Sequence, residues 1–267
     1  MSDAPTSAAV PDTHPPAFYF FFWGEFAERF SYYGMRAVLI IYLTAVLGLP
    51  DKQATEYYSY FKAACYFLPL LGGFIADRYL GKYWTIVGFS IPYVIGQFLL
   101  AVPDRSVMLF ALILLACGSG VIKPNISTLL GLTYDQKRPG RLALRTSAFQ
   151  WFYFSVNIGA MVSLYFLPDL RERLAGSYRS PYEGMSAAAA AAALALPLPD
   201  VTALTSVAYL SKKHSDMAYS YAYPYVFMVP AFLMVAALLA FALGKRHYAV
   251  EEIGVKRHTT PEERAQQ

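Results

Sequence analysis

Charge is scarce in these 267 residues: Asp, Glu, Lys and Arg make up 15%, against 57% hydrophobic residues. Soluble domains carry about 25% charged residues, so a water-soluble fold of this size would lack the polar surface it needs. The mean hydropathy of +0.36 points the same way. Cysteine is nearly absent as well. Cys65 and Cys117 both lie inside apolar runs without metal-like spacing, which excludes a disulfide framework and a zinc site and leaves two small packing residues. No metal or other cofactor is expected. The polar residues show no nucleophile–base arrangement, so the chain does not read as an enzyme. Residues 1–16 have no basic n-region, and no cleavable signal peptide is expected. The formal charge of +4 is modest, and its lysines and arginines sit between apolar runs, which fits membrane orientation rather than nucleic-acid binding.

Long apolar runs are what the chain has instead. A bilayer core about 30 Å thick takes about 20 apolar residues at 1.5 Å per residue, and six runs are of the right kind: 18–47, 55–78, 83–102, 106–132, 146–167 and 223–243. The expected fold is an all-α membrane protein, a bundle of six transmembrane helices solvated by the lipid bilayer. The aromatic cluster Phe18-Tyr19-Phe20-Phe21-Phe22-Trp23 suits an interface belt at the start of the first helix. The domain reading is a tail at 1–17, five helices within 18–168, an inserted segment at 169–221, a sixth helix within 222–247 and a tail at 248–267. The connections after runs 2, 4 and 6 hold Arg78, Lys82, Lys137, Arg138, Arg141, Arg145, Lys245 and Arg246, whereas those after runs 1 and 3 hold Lys52 and Arg105. That asymmetry predicts both termini in the cytoplasm and the 169–221 insertion outside it. The insertion contains Ala187 to Ala193, Pro197, Pro199 and tyrosines around 219–225. Alanine buries little apolar area, so the alanine run reads either as a weak interfacial helix or as low-complexity sequence without function.

Four ionisable residues interrupt the first run: Glu25, Glu28, Arg29 and Arg36. Each costs about 2.5–3.5 kcal/mol at mid-bilayer on insertion scales, so such residues face a polar cavity or one another. Glu25, Arg29, Tyr32, Tyr33 and Arg36 recur at helical spacing along one side, which predicts that they line one cavity. Glu25 with Arg29 is an i,i+4 pair, and Glu28 lies one turn from Tyr32. Carboxylate, guanidinium and phenol could exchange partners there, and burial and arginine pull a carboxylate in opposite directions, so the cluster could take and release protons. The plainer alternative is a charge cluster that only ties helices together. In the fourth run, Gly118-Ser119-Gly120-Val121-Ile122-Lys123-Pro124-Asn125 sets one lysine beside two glycines and a proline. Lys123 reads as an anion hook, or as a lysine snorkelling to an interface. Asn157 and Tyr66 read as pocket contacts or as helix-to-helix glue.

The pattern Glu25-x-x-Glu28-Arg29-Phe30-x-Tyr32-Tyr33-Gly34 resembles the signature of the proton-dependent oligopeptide transporter family of the major facilitator superfamily, complete at every specified position. The stretch from Gly72 through Asp77, Arg78 and Gly81 to Lys82 resembles the superfamily's loop after its second helix. Lys123-Pro124-Asn125 and Phe152-Tyr153-Phe154-Ser155-Val156-Asn157-Ile158-Gly159 resemble further family segments, so that the likeness covers roughly 18–168 and 222–248. It implies the amino-terminal half of a fold in which two six-helix bundles rock around a central site, taking up di- and tripeptides or related small carboxylates with protons as the coupling ion. Carried onto this sequence, it gives Glu25, Glu28 and Arg29 proton coupling, with Arg29 also close to substrate. Arg36 and Lys123 would hold the peptide carboxyl end, Tyr32, Tyr33, Tyr66 and Asn157 would bond its backbone, and Asp77 and Arg78 would belong to a cytoplasmic gate. It also implies a location in the plasma (inner) membrane. The family has at least twelve helices and a short loop where 169–221 stands, so a second six-helix bundle from another chain or copy is the expected partner. The alternative is a truncated or non-transporting membrane protein that binds or regulates a partner transporter.

Overall fold

The structure, a computed structural model, describes residues 12–178 and 203–251, and side chains from 216 onward in the last helix. The alanine run at 187–193, Pro197 and Pro199 lie outside the described residues, as do 1–11 and 252–267. Among the described residues six long helices follow one another. α1 (Ala17–Ile41) runs on through a π-helical turn, Tyr42–Val46, and α2 (Asp51–Ile75) through another, Ala76–Leu80. Then come α3 (Lys82–Leu99), α4 (Arg105–Lys137), α5 (Leu142–Ser177) and α6 (Ala203–Leu243), the last followed by a 3-10 turn, Gly244–His247. There is no strand among the described residues.

Local chemistry sets the ends. Gly81 has φ 76° and stops the turn after α2, a conformation closed to most side chains. Asp104 starts α4 by accepting the backbone N–H of Ser106 and Val107 at 2.8 and 2.9 Å. Among the described residues, four helices are long and apolar enough to cross a membrane on length and composition alone: α2, α4, α5 and α6. α1 carries the four charges that the sequence singles out, and α3 is 18 residues long with Lys82 and Gln97 in it. These two hold their places as members of the bundle.

α4 packs between α2 and α3, α6 closes against α3, and α1 lies along α5 and α6. Small residues allow the closest approaches. A Cβ on Gly159 of α5 would stand 2.7 Å from the Phe26 carbonyl oxygen of α1, and one on Gly72 of α2 would stand 2.8 Å from the Val121 Cα of α4. Side chains bridge the same seams: Asn125 donates to the Gly72 carbonyl at 3.3 Å, and the Ser31 hydroxyl to the Pro230 carbonyl at 3.1 Å. Coverage is uneven. In the apolar stretch of α4, 56% of residues are buried, against 28% in α5 and 17% in α2. α2 and α5 therefore carry the least covered apolar faces, with Phe67, Leu70 and Phe74 exposed on one and Met161, Leu164 and Tyr165 on the other.

Helices run past the apolar stretches that mark them in the sequence. α5 continues through Pro168 to Ser177, held there by an Arg173–Asp169 pair at 2.6 Å and by Arg171, whose guanidinium lies 5.5 Å from the Tyr219 ring centre of α6. α6 begins at Ala203, well ahead of the apolar run at 223–243, so part of the sequence taken as insertion is helix. At one end of the bundle, His14 and Thr13 meet the end of α4, and Glu251 meets the start of α3. The basic connections thus gather at a single end of the bundle. The opposite end is tied by the Tyr42 hydroxyl donating to the Val102 carbonyl and by Arg105 donating to Tyr57 and Gln53.

Candidate functional site

α1 contributes to both parts of the site, a buried charge cluster and a cavity wall. Its buried face holds Glu25, Glu28 and Arg29, each at most 2% exposed. Arg29 Nε lies 3.0 Å from Glu25 Oε1, and its Nη2 pairs with Glu28. The Ser119 hydroxyl of α4 donates to Glu28 Oε1 at 2.8 Å. Two carboxylates therefore share one guanidinium, and Glu25 Oε2 has no hydrogen-bond partner among the described residues. With both carboxylates ionised the three groups carry one net negative charge, and one added proton would leave the cluster neutral.

Arg29 also forms part of the wall of a cavity of about 340 Å³ between α1, α2 and α4. The wall includes Tyr32, Tyr33 and Arg36 of α1, Tyr66 of α2 and Lys123 of α4. Arg36 donates to the Tyr58 hydroxyl from Nε at 2.9 Å and from Nη2 at 2.6 Å, and its guanidinium lies 5.3 Å from the Tyr32 ring centre. Among the described residues no carboxylate forms an ion pair with Arg36 or Lys123. The cavity wall is thus cationic and phenolic, the donor set that suits a carboxylate or another small anion.

Most of the residues that the sequence marks converge here, with three qualifications. Glu25 and Glu28 stand behind Arg29 and do not line the cavity. Asn157 is exposed on α5 and lies outside the cavity wall, since α5 turns Phe152, Ser155, Gly159 and Ser163 inward. Asp77 and Arg78 are exposed at the basic end, where Asp77 pairs with Lys82. The sequence reading missed Tyr58, Cys65, Ser119 and Ser127. Tyr58, Cys65 and Pro69 repeat at spacings of seven and four, a helical stripe visible in the sequence once α2 is known to face α1. A larger cavity, about 580 Å³, lies at the basic end and holds no residue of α1.

Comparison with known proteins bears on this arrangement. The human protein named solute carrier family 15 member 1 is 35% identical over 254 residues, which cover 88% of this chain and 30% of that protein. Peptide transporter family 1 of Caenorhabditis elegans is 35% identical over 233 residues, covering 84% of this chain and 23% of that protein. The chain thus spans less than a third of the length of these relatives. Among solved structures, the POT family transporter PepTSo superposes with a TM-score of 0.68 at 28% identity, over 91% of this chain and 40% of that one. A POT family transporter in complex with a thioalcohol-conjugated peptide superposes at 0.63 with 25% identity, over 88% and 39%. The bundle has the fold of the amino-terminal half of those transporters. Residues 83–260 match the sequence profile of the POT family, and the chain belongs to that family.

Proposed function

We propose that the chain is the amino-terminal half of a proton-coupled symporter of di- and tripeptides or related small carboxylates. The observation that carries this reading is the division of labour on α1. A buried Glu25–Arg29–Glu28 cluster with room for one proton stands directly behind a cavity whose wall presents Arg36 and Lys123. Arg29 belongs to both, so a substrate carboxylate drawing on Arg29 would loosen its hold on the carboxylates and favour their protonation. Tyr32, Tyr33 and Tyr66 supply hydroxyls suited to peptide main-chain groups, which lets one site accept many side chains. A second six-helix bundle, from another chain or copy, would close the cavity and receive the exposed faces of α2 and α5. The basic end would face the cytoplasm of a plasma (inner) membrane, with Asp77 and Arg78 in the gate there. Competition binding tests the carboxylate assignment. Lys123→Ala should weaken a free dipeptide by tenfold or more, about 1.4 kcal/mol or above, and an amidated dipeptide much less. Equal losses for the two would remove Lys123 from substrate recognition.

A further inference from the structure

The larger cavity at the basic end has a composition of its own. Its cations come from two elements: Lys137 at the end of α4, and Lys245 and Arg246 in the 3-10 turn after α6. Its floor is aromatic. Lys245 Nζ lies 4.4 Å from the Trp84 ring centre and 5.4 Å from that of Tyr83. Among the described residues Glu251 is the one carboxylate in the wall, and it is committed elsewhere, accepting the backbone N–H of Lys82 and Tyr83 at 2.5 and 2.9 Å. Among the described residues, three cations therefore face a volume whose one carboxylate already serves the start of α3. Around that charge the rim is apolar and open, with Leu243 81% exposed and Trp84 and Leu80 partly so. A soluble anion has no use for such a rim. A molecule with a phosphate at one end and hydrocarbon at the other matches both features, and the bilayer supplies it at the level where basic and aromatic side chains collect.

We propose that this cavity binds an anionic phospholipid, its phosphate held by Lys137, Lys245 and Arg246 and its acyl chains lying against Leu80, Trp84 and Leu243. The bound lipid would join the end of α6 to α3 and α4, the seam that Glu251 already ties from the other side. The test is thermal unfolding of the whole purified chain in mild detergent with added phosphatidylglycerol, phosphatidylcholine or inorganic phosphate. Phosphatidylglycerol should raise the midpoint by about 5 °C at a hundredfold excess over its dissociation constant. Phosphatidylcholine and phosphate should leave it in place. The double variant K245Q/R246Q should lose the shift while keeping its midpoint in phosphatidylcholine, and R141Q, at the same end but outside the cavity, should keep it. If the double variant does not fold, K137Q should reduce the shift by half or more. No shift with phosphatidylglycerol, or an equal one with phosphatidylcholine, would overturn the proposal. An equal shift with phosphate alone would make this a soluble-anion site, and equal loss in R141Q would reduce it to the general positive field of that end.

Discussion

Removing the Arg29 guanidinium would leave Glu25 and Glu28 buried without a counter-charge, a change that costs about 3–5 kcal/mol at comparable buried pairs. Arg29→Met should therefore lower the melting midpoint sharply. Adding Glu25→Gln and Glu28→Gln to that variant should recover part of the loss, because the stranded charges go with them. Unfolding of the purified variants checks this, and a triple variant no more stable than Arg29→Met alone would deny that the three act as one unit. A second titrating residue lies at the basic end. His14 Nδ1 is 2.5 Å from the Tyr134 hydroxyl and its ring stacks on Phe18, while Arg138 donates to the Thr13 carbonyl. Burial, and then the nearby Arg138 charge, hold its pKa below the ordinary 6.5. The docked segment thus prefers the neutral ring, so docking is at full strength above about pH 6.5 and weakens as the pH falls through the lowered value. Hydrogen exchange at the Asp12, Thr13 and His14 amides, corrected for intrinsic rate, should speed up between pH 7 and pH 5 in the native chain and stay level in His14→Gln. The α1 charges were legible in the sequence because ionisable residues inside an apolar run stand out against their cost. Ser119 and Tyr58 were not, since a hydroxyl in a membrane helix is compatible with any face.

At the scale of the helix, spacing carried most of the information and direction the rest. Six apolar runs gave six helices, and the glycines mark where those helices touch. Gly159 packs against the α1 backbone itself, where no side chain can rotate away. Gly159→Val should therefore destabilise the bundle by about 1–3 kcal/mol, the usual range for overpacking. Gly73→Ala, which meets nothing within 4 Å, should be close to neutral. Denaturation in mixed micelles compares the two, and equal effects would place the tight seam somewhere other than α1–α5. The position of Asn157 follows from the same seam. It sits two residues, about 200° of helical rotation, from Gly159 and is turned away from α1. One helix in isolation does not reveal which of its faces meets a neighbour, so neither Asn157 nor the Tyr58–Cys65–Pro69 stripe could be aimed from the sequence. The ends of α5 and α6 were misjudged for a different reason. Hydropathy stops where the lipid stops, but ion pairs and the Arg171–Tyr219 contact carry the helices further.

For the whole molecule, the central matter is how a half-bundle with one cationic wall would take part in transport. Left in lipid alone, Arg36 and Lys123 would face hydrocarbon through the open side of the cavity, at several kcal/mol each before snorkelling relieves it. A complementary bundle would cover that wall and the bare faces of α2 and α5 together. Alternating access also needs two bodies, so that the site can be sealed on one side and then on the other. The Glu25–Glu28 pair behind Arg29 would give such an assembly the place where the coupled proton binds, the imposed proton gradient being the source of energy. The most direct measurement is labelled dipeptide uptake into proteoliposomes holding the chain with a complementary POT half, run under an imposed proton gradient and as gradient-free exchange. In the native chain the gradient should drive accumulation above the external concentration. In Glu28→Gln accumulation should collapse while exchange persists within about tenfold of native. Full accumulation by Glu28→Gln, or loss of both modes in equal measure from a folded variant, would contradict the assignment of proton coupling to this cluster.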